Sequence, residues 1–556
     1  MKLSIQLKQF SVNLCKMLTL VMLSLASLQA YSQNDDNINS RDIAYLTSGG
    51  KLHPLQAIMD IRHYTIALEV DIAKQSISGS TEVSLNLSKK TDTILLDLIH
   101  LYKVTKIKVN NKVTPFYQHD DKIFITAATG FAVGNQKVYI EYNGIPPVAI
   151  KPPWDGGFTW KKDSAGYDWI SINIQAEGGK MYFPSKDHPS DEPNEGADLK
   201  ITVPSHLVVA GPGLLMNTTT KKNKVTYHWK TNYTISNYCI LFNIGKYKVY
   251  KDELTTILGN KVPIEYYVLE VDTMHAKKVI ATKKRDNQIL EKYFGEYPWA
   301  KEKIGIAEVP NSGMEHQTMI TFDNLFRYKT IKGQDYSDNL FHEYAHEWWA
   351  NKVTNKDWGH MWIQEGIGTY AEALAMLEIG GEPAYDEIIA GHRRNSRNRF
   401  AIVPAGDEIT EKEVYAGGDI YGKGSFFMHS LRYLIGDEIF FPTLKKLATD
   451  PQTTYDNFVT TMDVEKLFST ATGKDLKPFF DFFLRTTNVL DITVKEVGFQ
   501  KFQIKQNNFF MPLPFEITAN GQTKRTIIPS EGIIVNSALA PQVDAKGNYL
   551  KKVTLQ

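Results

Sequence analysis

The sequence predicts a multidomain α+β protein with a β-sandwich or saddle-shaped first half, a mainly helical middle and a small β domain at the end. Length is the first observation behind this, because 556 residues exceed what one hydrophobic core organises. The second is a period of two from about residue 60 to 250. It is seen at Tyr64, Ile66, Leu68, Val70 and Ile72 and again at Val83, Leu85 and Leu87, and it marks half-buried strands. The third is a change of texture after Tyr250, where long helical patterns take over until strands return near Asp491.

Along the chain, the opening segment follows its own rules. Lys2, Lys8 and Lys16 precede an apolar run over 17–26, and small residues follow at Ala30 and Ser32. That order is the layout of a secretory signal peptide over residues 1–32, so export to a periplasm or to the medium is expected. The run is short for a bilayer span, and no transmembrane anchor is expected after cleavage. Cys15 precedes the apolar run with no small residue just ahead of it, which argues against lipid attachment. Cys239 then remains as the single cysteine of the mature chain, unable to form an internal disulfide. Its expected place is as a small buried residue in a strand.

Residues 33–252 form the expected N-terminal β domain. Turn signals at Asn110-Asn111 and Gly211-Pro212-Gly213 separate short β-rich runs, and Lys221-Lys222-Asn223-Lys224 reads as a solvated hairpin tip. With 63 basic against 62 acidic side chains the net charge is +1, which gives no electrostatic ground for a nucleic-acid partner.

The mainly helical domain is expected over 253–490. Strands at 263–268 and 304–307 lead into it, and Asp335 or Ser337 can cap a helix running through His342 and His346. Further helical pattern covers 367–378, 424–434 and 464–484. Phe479, Phe480, Phe482 and Phe483 fall in the last of these and read as core packing, not as a ligand pocket. In the closing domain, 491–556, a strand at 515–517 runs into Asn520-Gly521, a hairpin turn pair.

The chemistry concentrates at His342-Glu343-Tyr344-Ala345-His346. Residues four apart on a helix point within about 40° of each other, so both imidazoles can reach one metal ion while Glu343 lies beside a metal-bound water. Catalytic zinc takes three protein ligands and keeps one position open. Glu365, nineteen positions beyond His346 at the start of the next helical pattern, can supply the third. The expected cofactor is therefore one Zn²⁺ per chain in a His-His-Glu site suited to metal-assisted hydrolysis. Glu372, two turns further on, can orient a ligand histidine.

From His342 to Glu365 the chain reads HEYAHEWWANKVTNKDWGHMWIQE. This stretch resembles the zinc aminopeptidases that include aminopeptidase N and the leukotriene hydrolase. Ser312-Gly313-Met314-Glu315-His316 is similar to that family's G-x-M-E-N signature, and Tyr421-Gly422-Lys423-Gly424 to its Y-x-K-G segment. Gln175-Ala176 with Phe183-Pro184 is similar to a stretch that supplies a substrate contact. The resemblance implies a thermolysin-like catalytic domain acting on peptides with a free amino terminus. It assigns Glu343 as general base, Tyr421 as oxyanion donor, and Gly313, Met314, Glu315 and Gln175 as substrate contacts. Tyr415 competes for the oxyanion role on spacing alone. Ser312 and His316 depart from the usual glycine and asparagine. The resemblance also implies an open cleft, without the large helical C-terminal domain of longer members. A metalloendopeptidase and a non-catalytic peptide-binding protein are the alternatives. Oligomeric state is not readable.

Overall fold

The computed structural model describes residues 43–556, so the expected leader over 1–32 lies outside the described residues. The first domain centres on an eight-stranded sheet, in the order Leu214–Lys221, Lys224–Thr231, Ala197–Pro204, Met59–Asp71, Ser76–Leu87, Gly134–Gly144, Tyr102–Val109, Lys112–Val113. Met59–Asp71 runs parallel to Ala197–Pro204 and antiparallel to Ser76–Leu87. Its period of two has a physical cause: Tyr64, Ile66, Leu68 and Val70 face the core, and Ile72 falls in the turn beyond the strand. The hairpin at Asn110-Asn111 closes with both residues at positive φ, and Lys222 does the same at the basic tip.

A second sheet of this domain positions the site. Its strand Asp168–Asn173 lies between Gly157–Lys162 and Asn243–Gly245 and delivers Gln175 just past its end. Cys239 is fully buried, but in the single 3₁₀ turn Asn237–Cys239 and not in a strand as expected. The turn brings Tyr238 and Cys239 together onto the next domain, which an alternating strand could not do.

The next sheet comprises Tyr247–Thr255, Lys261–Leu269, Ile304–Val309 and Ile320–Asp323. Its first pair is antiparallel and the other two are parallel. Tyr247–Thr255 crosses the expected boundary at 252/253, since its whole length pairs with Lys261–Leu269. Ile304–Val309 leads into the loop that carries Gly313, Met314 and Glu315, and a bridge from Met314 to Thr321 folds that loop back on the sheet edge.

Ser337, not Asp335, caps the motif helix Asp338–Ala345 by accepting from the Leu340 N–H at 3.5 Å. The next helix, Trp362–Gly380, starts ahead of the expected 367 and puts Glu365 in its first turn. It is buried on nearly every side, so its apolar residues show no single face to mark its start. The pattern at 464–484 resolves into two helices. Gly473, left-handed at φ 64°, closes Thr461–Thr472, and Pro478 opens Lys477–Leu484. The four phenylalanines are buried as expected, and Phe479 and Phe483 pack on Tyr549 of the closing β domain. That domain pairs a four-stranded with a three-stranded sheet and holds the Asn520-Gly521 hairpin. Among the described residues no helix is long and apolar enough to cross a membrane.

Trp362–Gly380 and Gly422–Ile435 touch backbone to backbone where Gly366 meets Gly424. A Cβ on Gly366 would lie 2.8 Å from the Gly424 Cα. Alanine at Gly366 gains roughly 1 kcal/mol of helix propensity but must push the helices apart. Gly366→Ala is therefore expected to lower stability by about 1–3 kcal/mol in urea unfolding. A neutral or stabilising result would show that this contact is not tight.

Candidate metal centre

His346 caps the motif helix with helical dihedrals (φ −66°, ψ −16°), so the four-residue spacing still brings both imidazoles to one side. The His342 and His346 Nε2 atoms are 3.0 Å apart, and Glu365 Oε2 lies 3.5 Å and 3.3 Å from them. His342, His346 and Glu365 are the one group of three or more potential ligands found among the described residues. For a tetrahedral zinc with bonds of about 2.0–2.1 Å, ligand atoms lie about 3.3–3.4 Å apart, close to these separations.

Hydrogen bonding fixes the tautomers. His342 Nδ1 donates to Glu372 Oε1 at 2.8 Å, as expected from sequence, and His346 Nδ1 donates to the Trp349 carbonyl at 2.7 Å. Both Nε2 atoms therefore turn lone pairs toward each other and toward Glu365 Oε2, which is buried without a hydrogen-bond partner. Three electron-rich atoms facing inward repel one another unless a cation lies among them. The residues fit a zinc ion, and the carboxylate behind His342 is the outer support such ligands use.

Glu343 is 6% exposed beside this triad. Burial, with the nearby charge of Glu315 adding to it, pushes its pKa up to about 7. Asn339, one turn earlier, donates to Glu343 Oε1 at 2.8 Å and accepts from the Gly313 N–H at 3.3 Å. Gly313 is needed here because a Cβ would lie 2.6 Å from Asn339 Oδ1 and 3.0 Å from Glu343 Cγ. Met314 is held by its N–H bond to Thr321 Oγ1 at 2.8 Å.

Glu315 is buried, and its Oε1 accepts from Gln175 Nε2 at 2.6 Å and from the Tyr238 hydroxyl at 2.9 Å. Burial raises its pKa, and the nearby charge of Glu365 adds to the shift. Asn351 donates to the Glu315 carbonyl at 2.8 Å and to Glu347 at 3.2 Å, tying this loop to the end of the motif helix. Ser312 is exposed at the rim. His316 is fully buried outside the cavity lining, and burial pushes its pKa down to about 3, so it stays neutral.

The two tyrosines separate by partner. The Tyr415 hydroxyl donates to Glu365 Oε1 at 2.9 Å, whereas among the described residues the Tyr421 hydroxyl reaches only Tyr415, at 3.3 Å. Burial raises both phenols well above their usual pKa, so both remain donors. All nine predicted site residues, with Tyr415, line one cavity of about 530 Å³.

The sequence reading missed Asn339, Glu347, Tyr238 and Glu411. Asn339 and Glu347 lie four residues before and after Glu343, a helical spacing that could have flagged them. Glu411 lies four residues before Tyr415, the same kind of signal, whereas Tyr238 reaches the site only through long-range folding and no local signal marks it.

The family model for the Peptidase M1 N-terminal domain matches residues 61–239, and that for the Peptidase family M1 domain matches 280–483. Leucyl aminopeptidase of Saccharolobus solfataricus is 21% identical over 407 residues, covering 69% of this chain and 48% of that protein. Leukotriene A-4 hydrolase of Xenopus laevis is 25% identical over 416 residues, covering 69% and 64%. The chain spans about half the length of the first curated relatives it matches. A crystal structure of a mutant M1 zinc metallopeptidase from Deinococcus radiodurans, bound to a Tyr-Ser-Ala substrate, shares the fold. Its TM-score is 0.62 at 21% identity, covering 79% of this chain and 95% of that one.

Replacing the carboxylate behind His342 tests the zinc fit without touching a ligand. Glu372→Gln is expected to weaken zinc affinity about 10–100-fold in competition with a chelator, with the fold intact. An unchanged affinity would leave Glu372 no part in holding the metal.

Proposed function

The chain belongs to peptidase family M1, and on that premise we propose that it is a zinc aminopeptidase releasing the first residue of peptides. The observation that carries this reading is a single cavity holding the ligand triad, a buried carboxylate on the motif helix and a second buried carboxylate on the sheet-edge loop.

Zinc held by His342, His346 and Glu365 would polarise the scissile carbonyl and make nearby water more acidic. Glu343, kept in place by Asn339, takes the proton of the attacking water and passes it to the leaving amine. Tyr421 donates to the carbonyl oxygen as negative charge builds there. Tyr415 is less suited to that task because its hydroxyl already serves Glu365. Glu315 takes the free ammonium of the substrate in a charge-assisted bond, with Gln175 and Tyr238 orienting its carboxylate. An ammonium held there fixes the distance from the chain end to the reacting bond. The solved relative bound to Tyr-Ser-Ala is compatible with a short peptide as substrate. Export belongs to the same proposal, on the charged, apolar and small-residue order of residues 1–32.

Glu343→Gln is expected to lower kcat about 10²–10⁴-fold while zinc stays at one per chain. Full turnover in that variant would remove Glu343 as the base. Tyr421→Phe should cost about 10²–10³ in kcat with little change in KM, whereas Tyr415→Phe should act through weaker zinc binding. Equal effects of both kinds in the two variants would undo that division of labour. Acetylated peptides should resist cleavage that their free counterparts undergo, and cleavage of both alike would favour an endopeptidase.

A further inference from the structure

The proposed chemistry leaves one carboxylate of the cavity unused. Glu411 opens the helix Glu411–Gly417, lines the same cavity as the ligand triad and is 4% exposed. Its backbone N–H is bonded to the Ser48 carbonyl at 3.1 Å, but among the described residues its carboxylate accepts no hydrogen bond and forms no ion pair. The adjacent ammonium is committed elsewhere. Lys412 Nζ donates to the Ala44 carbonyl at 2.9 Å and to that of Leu46, and pairs with Glu177 at 3.5 Å. Burial, then the negative charge of Glu177, pushes the Glu411 carboxyl up to about 8, and Lys412 offsets this only in part. A buried carboxylate in this condition is costly until a donor or a cation meets it.

Its location says which group could do so. Tyr415, four residues later on the same helix, reaches Glu365 with its hydroxyl. Residues so spaced share a face and are separated by about 6 Å along the axis. Glu411 therefore lies one turn further along the wall that begins at the metal ligands, a distance suited to a long side chain. At the rim of the same cavity Trp154 is 71% exposed and offers an aromatic face to a cation.

We propose that Glu411 is the specificity-determining contact for the first side chain of the substrate, and that the cavity selects a long cationic one, arginine or lysine. This deepens the aminopeptidase reading and rests on it. The cation supplies the partner that Glu411 lacks, and a guanidinium adds a planar face for Trp154. A neutral chain of similar length fills the same space and leaves the carboxylate unmet.

The test reads binding, so it does not depend on turnover. The full chain carrying Glu343→Gln, loaded with zinc, is titrated calorimetrically with L-arginine amide and with L-norleucine amide, which share the free amine and differ in charge. Arginine amide is expected to bind at least about tenfold tighter. Adding Glu411→Gln should bring that ratio close to one, and Glu411→Asp should keep part of it, with zinc stoichiometry and melting temperature reporting the fold. An equal or weaker affinity for arginine amide in the Glu343→Gln chain overturns the proposal without any Glu411 variant. A ratio that survives Glu411→Gln overturns it as well, since an amine contact would weaken both ligands alike. Hydrolysis of the two amides by the unmutated chain is measured in parallel. Its absence, with the binding preference and its loss intact, would end the peptidase reading and leave the cation contact standing.

Discussion

The site is governed by the crowding of buried carboxyl groups around one cavity. Glu315, Glu343, Glu365 and Glu411 are each less than one-tenth exposed around one cavity. Among the described residues no lysine or arginine forms an ion pair with any of them, and the only cation in the lining, Lys412, is paired with Glu177. Two imidazoles with inward lone pairs deepen the deficit. Such a cluster is costly while its carboxyls are ionised, and positive charge from outside the chain relieves that cost. A divalent ion suits Glu365 with the histidines. In the proposed reading an ammonium suits Glu315, and a cationic side chain suits Glu411.

The scaffold can hold this arrangement because its framework around the site leaves little room for relaxation. Glycines at the crossing of Trp362–Gly380 and Gly422–Ile435 let the helix bearing Glu365 seat closely against the one that begins just after Tyr421. At the other side, buried Glu347 accepts from Trp299 Nε1 at 2.6 Å and from the Thr318 N–H at 3.0 Å, fastening the motif helix to the sheet. Carboxylates close in sequence thus do different work, Glu343 facing the cavity and Glu347 the framework.

Much of the fold was legible because its signals are local. Alternation at Tyr64 to Val70 reflects a one-sided sheet, and the spacing of His342 and His346 follows from the pitch of a helix. The gathering of His342, His346 and Glu365 was readable for the same reason, with Glu365 found by its position after the motif. The misplacements also share a cause. The start of Trp362–Gly380 was missed because a helix buried on most sides has no period to read. Cys239 was given to a strand because a short turn rich in apolar residues looks like one. The break at Gly473 and Pro478 was visible in composition, but the apolar pattern on either side outweighed it. Tyr238 was beyond reach in principle, since its partner Glu315 lies far away in sequence and shares no pattern with it.

Glu315 sits on the sheet-edge loop of the helical domain, yet its two side-chain donors, Gln175 and Tyr238, come from the β domain before it. The metal ligands, by contrast, all belong to two neighbouring helices. In the proposed reading, cleavage and terminus recognition therefore have different structural owners. On that reading, mutational drift at the seam between domains would blur where a peptide is cut and leave intact the machinery that cuts it.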